Sequence, residues 1–317
     1  MSRRRGRPVS GVLLLDKPTG LSSNQALQAA RRLFDASKAG HTGTLDPLAT
    51  GLLPVCFGEA TKVTQFLLGA DKTYRARARL GVTTRSGDSD GEWLSERPVA
   101  VDEAGVIAAL AAHTGDLMQV PSMYSALKHG GERLYALARR GEVVERPARA
   151  VRISRLQLLS LAGDEMELEL DCSKGTYVRS LVEDLGEALG CGAHVVALRR
   201  LRVGALDVSQ AQTLEQLREV ASAGVAALDA QLVPIGQALA HLPQVQLSEA
   251  DADSLQRGQA LALMQPLADG WVAVFTQGRA FVGMAEAAAG QLLPRRLVSQ
   301  ADEPRHGPDR AETVGHG

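Results

Sequence analysis

The sequence predicts an α+β fold in two domains, and three observations carry that prediction. Two stretches, "KTYRARARL" and "EMELELDC", alternate with the period of a β-strand, whereas "NQALQAARRLF" and the run from Val178 to Leu189 repeat at helical spacing. The chain has 317 residues, more than one typical domain holds. A second unit with its own strand-like pieces begins near residue 244, after prolines at 234 and 243.

Residues 1–9 read as a basic tail, and 10–240 as the larger domain. "GVLLLDKPTG" is a short apolar strand closed by a turn at Pro18 and Gly20. Ser22 and Gln25 have capping-box spacing, so a helix starts there. A glycine-rich loop follows, "GHTGTLDPLATGLLP". As a strand, "KTYRARARL" puts Tyr74, Ala76, Ala78 and Leu80 on one face and Arg75, Arg77 and Arg79 on the other. "TTRSGDSDGEW" is turn chemistry, residues 102–114 predict a helix, and "YSALKHGGERLYALARRG" predicts a broken basic helical region. In "EMELELDC", Met166, Leu168, Leu170 and Cys172 face inward. After the turn "SKG", Val178, Leu181, Val182, Leu185 and Leu189 mark a helix that Gly190 caps. Residues 211–240 are Ala-rich and mostly helical. The second domain, 244–300, holds one helix in "EADADSLQRGQ" and strands in "GWVAVF" and "RAFVGMAE". Residues 301–317 are polar and expected to be disordered.

Apolar residues make up 45% of the chain, ample for a core, and the formal net charge is -1. Bulk charge therefore names no polyanionic partner; a nucleic-acid site has to come from local clusters of Arg and Lys. Cys56, Cys172 and Cys191 are odd in number and far apart, which excludes a disulfide framework and zinc-ligand spacing. No secretory leader follows the basic start, and no apolar run is long enough to span a membrane. The expectation is a reduced, soluble, cytoplasmic protein.

The loop from Gly40 to Pro54 contains a single acid. Asp46 precedes a proline, which pushes its backbone to an extended conformation, and Gly43 and Gly51 permit tight turns on either side. Such a loop presents one carboxylate in a fixed direction, although a turn-capping role is the common one for a loop aspartate. With Thr176 as N-cap, Arg179 falls at the third helical position, where a cation opposes the helix dipole by about 0.3–1 kcal/mol. A residue that breaks a local rule suggests an external partner, here a carboxylate. Taken alone, Tyr74 is a half-buried strand aromatic, and Lys17 and Lys62 are solvated lysines.

These residues lie inside longer motifs. "LLLDKPTGLSS", "GHTGTLDPLATGLLPVCFGEATK", "KTYRARARLG", "PSMYSALKHGGERLYALARRG" and "CSKGTYVRSLVEDLGEALGCGAHVVALRRLRVG" follow one another from about residue 11 to 206. In that order they resemble the TruB family of tRNA pseudouridine-55 synthases. Residues 244–298, ending in "LLPRRLV", resemble more loosely the small PUA-like RNA-binding domain that such proteins carry. The resemblance implies a catalytic domain with a mixed, mainly antiparallel sheet. It implies a reaction in which the C–N glycosidic bond of a T-loop uridine breaks and a C–C bond forms, without cofactor or metal.

On that resemblance Asp46 matches the catalytic aspartate, acting as nucleophile or as base toward a ribose proton. Arg179 matches its paired arginine, expected to lower the carboxylate pKa by ~1–3 units. Tyr74 matches the tyrosine that stacks on the target base and assists proton removal. Tyr177 and Leu198 match residues lining the base pocket, and His41 the histidine that enters the space left by the flipped base. Lys17 and Lys62 are expected to bind substrate. Arg75, Arg77, Arg79, Arg139, Arg140, Arg199, Arg200 and Arg202 are candidates for an RNA groove. The implied partner is the T-arm of tRNA, with no obligate protein partner and a monomeric chain. Three other readings compete. A non-catalytic RNA-binding or RNA-folding module would not need Asp46. A metal-dependent or aspartyl-phosphate hydrolase would need further carboxylates. A relative acting on ribosomal RNA in a guide-RNA particle would carry longer extensions.

Overall fold

The strand Gly11–Lys17 is apolar from Gly11 to Leu15 because both of its faces are covered there. Leu13 and Leu15, with Leu53, Val55 and Phe57 of the neighbouring strand, pack with Ala26, Leu27 and Ala30 of the helix Ser23–Leu33 and Leu214 and Leu217 of the helix Leu214–Ser222. Val12 and Leu14, with Leu52 and Cys56, face the other way. They share a core with Ile235 and Leu239 and, from the second unit, with Phe281 and Met284. The larger sheet and the sheet of the second unit are thus joined by a common apolar layer.

The computed structural model describes residues 6–125, 127–263 and 265–299. Among the described residues the larger sheet has ten strands. Its main path runs Leu232–Val233, Gly11–Lys17, Thr50–Phe57, Ala193–Val203, Lys72–Leu80, Glu165–Cys172, Arg149–Ala162, Gly115–Gln119. Thr50–Phe57 and Ala193–Val203 pair in parallel, and the other neighbours on that path are antiparallel, so the sheet is mixed and mainly antiparallel. The second unit has a five-stranded sheet in the order Gln244–Leu247, Gly270–Thr276, Phe281–Ala288, Gln291–Leu297, Leu261–Ala262, with the helix Glu249–Gln256 packed on it.

Alternation reads correctly where it is clean. Tyr74, Ala76, Ala78 and Leu80 are buried while Arg75, Arg77 and Arg79 are exposed, and Met166, Leu168, Leu170 and Cys172 are buried. Ser22 caps its helix with both bonds of the capping box, and Gly190, at φ 79°, ends the helix Val178–Ala188. Other expectations need correction. That helix starts one residue late: its N-cap is Tyr177, and the Thr176 hydroxyl instead donates to the Ser173 carbonyl. The broken helical region holds a two-stranded hairpin, Lys128–His129 with Glu132–Arg133, before a short helix, Leu134–Arg139. Gly130 and Gly131 both have positive φ, which a two-residue hairpin turn demands. Of the basic tail, residues 6–9 are described and are not free: Arg7 donates to Asp229 and to the Phe34 carbonyl, and Val9 is buried. Residues 301–317, expected to be disordered, lie outside the described residues.

Candidate active site

Asp46 opens a β-turn with Pro47 in second position, closed by the Ala49 N–H donating to the Asp46 carbonyl at 3.0 Å. Four neighbours fix the loop that carries this turn. The buried Ser23 hydroxyl accepts from the Leu45 N–H at 2.7 Å and donates to its carbonyl at 3.0 Å. The Lys17 ammonium donates to the carbonyls of Pro18, Leu21 and Pro47. The Arg200 guanidinium donates to the carbonyls of Leu52 and Gly43, and the Gly20 N–H to Pro47. Leu45 and Ala49 are buried beneath. At Gly51, φ is 98° and a Cβ would lie 2.3 Å from the Arg200 carbonyl oxygen, so the chain crosses there only as glycine.

The loop forms one wall of a cavity of about 360 Å³. Tyr74, Tyr177, Arg179 and Leu198 line it with Asp46, so five of the residues expected at the site share one pocket. The side chain of Arg179 is 5% exposed and holds two carboxylates: its Nε lies 3.0 Å from Asp46 Oδ2, and its Nη1 3.2 Å from Asp88 Oδ2. It also donates to the carbonyls of Ser86 and Tyr124. Asp88 is itself buried and accepts from the Ser86 hydroxyl and the Asp90 N–H. Tyr177 is fixed through its backbone, whose N–H and carbonyl both bond the buried amide of Gln119.

Electrostatics at Asp46 run against the sequence expectation. Burial pushes its carboxyl above the ordinary 3.8; Arg179 pulls it down, but Asp88 competes for the same guanidinium and adds repulsion. Desolvation wins, so Arg179 limits the rise instead of producing a fall. Burial, the largest cause, also raises the Tyr74 phenol above 10.0, opposed by the positive charge of Arg200.

Three family models match in succession. The first is described as "TruB family pseudouridylate synthase (N terminal domain)", residues 31–178, and the second as "tRNA pseudouridylate synthase B C-terminal domain", residues 179–240. The third, "Pseudouridine synthase II TruB, C-terminal", matches residues 243–298. The chain is 52% identical over 298 residues to the tRNA pseudouridine synthase B of Stutzerimonas stutzeri (strain A1501), covering 93% of this chain and 98% of that one. It is 53% identical over the same length and shares to that of Pseudomonas aeruginosa (strain UCBPP-PA14). The chain belongs to the TruB family of pseudouridine synthases. A solved structure of a Cbf5–Nop10–Gar1 complex resembles it with a TM-score of 0.70 at 28% identity, covering 87% of this chain and 78% of that one.

Not every residue expected at the site of this TruB-family chain reaches the pocket. Lys17 is fully buried under the loop, where its three protons go to three carbonyls and burial lowers its pKa to about 8. It holds the loop's shape and presents nothing to a substrate. Lys62 bonds Glu59 and the Leu297 carbonyl, joining the two units at a different groove. His41 is half-buried at the end of the strand Ala39–His41, outside the pocket wall; burial lowers its imidazole pKa below 6.5, leaving it neutral at pH 7, and its Nδ1 has no partner. The candidate groove arginines divide. Arg75, Arg77 and Arg79 point to the opposite face of the strand from Tyr74 and pair with Glu169, Glu165 and Asp164. Arg140, Arg199 and Arg202 pair with Glu132, Asp16 and Asp207, and Arg139 lies over the Tyr135 ring. Arg200 is buried at the pocket wall. Sequence reasoning missed Asp88, Gln119 and Lys72 as parts of the site. A turn aspartate, a strand-end glutamine and a strand-start lysine carry no signal of their own.

Proposed function

We propose that this chain isomerises the T-loop uridine at position 55 of tRNA to pseudouridine. The observation that carries the reading is the pocket wall, on which Asp46 is the one carboxylate among the described residues and Arg179 its ion-pair partner. The flipped uridine would enter between Tyr74, Tyr177 and Leu198, with its ribose toward Asp46. An ionised Asp46 would then add to C1′ as N1 leaves with the bonding electrons, or take the C2′ proton as the same bond breaks. The freed uracil turns, its C5 bonds C1′ as the Asp46–C1′ bond breaks or as C2′ regains its proton, and C5 then loses its proton while N1 gains one. Arg179 opposes the rise that burial causes and so favours the ionised carboxylate. His41, a neutral ring, would fill the space left in the loop. The change involves no net oxidation or reduction, so we assign no cofactor and no metal. The partner would be the T-arm, met by a monomer in the cytoplasm without an obligate protein partner. No described helix is long and apolar enough to cross a membrane.

The test is an unmodified tRNA transcript incubated with the wild-type chain and with Asp46→Asn, with any pseudouridine mapped to its position. The wild type is expected to modify one T-loop uridine, and Asp46→Asn to bind tRNA but form no product. The neutral amide also removes a charge that burial disfavours, so Asp46→Asn should melt no lower than wild type at pH 7. Turnover by Asp46→Asn near the wild-type rate would overturn the role of Asp46.

A further inference from the structure

We propose that Lys72 and Arg200 form a seat for an anion in the pocket wall, and that the anion is an RNA backbone phosphate flanking the nucleotide whose base enters the pocket. The proposal deepens the reading above and rests on it. Buried cations are tolerated when they are paired. Arg179 meets that condition with two carboxylates. Lys72 and Arg200 do not: they are 8% and 1% exposed, both line the pocket, and among the described residues no carboxylate lies within ion-pair distance of either. Asp71 acts on Lys72 only from a distance, and burial together with Arg200 lowers the lysine pKa to about 8.

The hydrogen-bond inventory leaves room for a ligand. Lys72 Nζ donates to the carbonyls of Leu68 and Ala70, which uses two of its three protons. Arg200 donates from Nε and Nη2 to Leu52 and Gly43, which leaves part of its five-proton fork unassigned. Gly43, at φ 103°, sets no side chain over that fork: a Cβ there would lie 3.6 Å from Arg200 Nη1. Lys17 differs on both counts, since its three protons go to carbonyls and it is not on the wall. A nucleotide in this pocket brings a phosphate on each side of its ribose, and neutralising one by two cations is the usual basis of salt-dependent affinity.

The test uses synthetic T-arm hairpins in which one linkage, 5′ or 3′ of the target uridine, is a neutral methylphosphonate. The preceding nucleotide carries a 2′-O-methyl group to protect the linkage, and matched hairpins with an ordinary phosphate serve as controls. Filter binding at several salt concentrations is measured for wild type, Lys72→Met, Lys72→Arg and Arg200→Lys, with melting curves to check folding. One of the two neutral linkages should weaken wild-type binding about tenfold. Lys72→Met should weaken binding of the ordinary hairpin similarly and reduce the salt slope by about one, and Lys72→Arg should restore most of the loss. On Lys72→Met the same neutral linkage should cause no further loss. Losses that multiply, or two neutral linkages that bind wild type like their controls, overturn the seat. If Lys72→Met does not fold, the linkage scan on wild type decides alone. Pseudouridine formation by wild type on unmodified tRNA is scored separately: its absence defeats the functional reading, whereas its presence with a failed scan defeats only the seat.

Discussion

At the scale of single residues, one guanidinium is shared between two carboxylates. Arg179 holds Asp46 and Asp88 at once, and the Asp46 pKa rises because burial and Asp88 outweigh what Arg179 supplies. On the proposed role of Asp46 the ionised form is the one that acts, so the rate should fall on the acid side with an apparent pKa above 3.8. In Asp88→Asn one source of repulsion is gone, so the acid limb should move to lower pH. The same change removes an anchor of Arg179, and a displaced guanidinium should lower the single-turnover rate by about 10–100-fold. A pH profile of single-turnover rates for both proteins checks this, and an unmoved acid limb in Asp88→Asn would defeat it. Lys17 makes the second residue-scale prediction. Its removal in Lys17→Met takes the ammonium from the part-buried carbonyls of Pro18 and Leu21, while Pro47 keeps the Gly20 N–H, at roughly 1–3 kcal/mol for each carbonyl that stays unsatisfied. The variant should melt lower and lose rate together. A substrate-binding lysine would instead raise KM and flatten the salt dependence at an unchanged melting point. In sequence a lysine holding carbonyls and a lysine awaiting a phosphate look alike, which is why Lys17 and Lys62 read as contacts, whereas Asp46 and Tyr74 stood in a loop and a strand whose geometry the sequence specifies.

At the scale of elements, legibility follows periodicity. The strands Lys72–Leu80 and Glu165–Cys172 pair without interruption and read from alternation alone. Arg149–Ala162 is longer, yet register shifts at Ile153/Arg155 and Leu158/Ser160 break its period of two, so no alternation marks it as a strand. In Gln291–Leu297, Pro294 falls beside a register shift, and a proline argues against a strand in any sequence reading. Asp88 sits in the turn between the strands Val82–Thr84 and Trp93–Glu96, where its neighbours Ser86 and Gly87 give no hint that Arg179, 93 residues beyond Ser86 in sequence, will arrive. The loop of Asp46 is an element of the same kind, held in place by backbone contacts at both ends. Gly51→Ala tests that hold. The alanine would have to keep a φ of 98° and meet the Arg200 carbonyl at 2.3 Å, so either the Ala193–Val203 strand or the loop must move. We expect a loss of about 3 kcal/mol or more in stability, from backbone strain and the clash combined. A chemical-denaturation midpoint equal to wild type would show that the crossing is looser than it looks.

At the scale of the whole molecule, two units with separate sheets share one apolar layer, and this decides how the second unit can be tested. Cutting the chain before Gln244 would strip Phe281 and Met284 from the layer they share with Ile235 and Leu239, which in turn packs with Val12, Leu14, Leu52 and Cys56. A truncated chain would lose stability as well as any RNA contact, and its activity would report both. Point changes in the groove between the units separate them. Thr61, Lys62 and Gln65 face Arg295 and Arg296 across it. Arg295 is paired with Glu286 and Lys62 with Glu59. Arg296 is exposed and, among the described residues, has no ion-pair partner, so it is the residue there freest to meet a phosphate. Arg296→Ala should weaken tRNA binding and lower the salt slope by about one, while the single-turnover rate at saturating tRNA stays within about twofold of wild type. Its melting point should not move, since an exposed side chain outside the shared layer is removed. Lys62→Ala should behave differently: the ammonium bonds the Leu297 carbonyl, so its loss loosens the junction and lowers the melting point as well. If Arg296→Ala binds tRNA with wild-type affinity and slope, the groove between the units is a structural seam, and the affinity must come from the surface around the pocket itself.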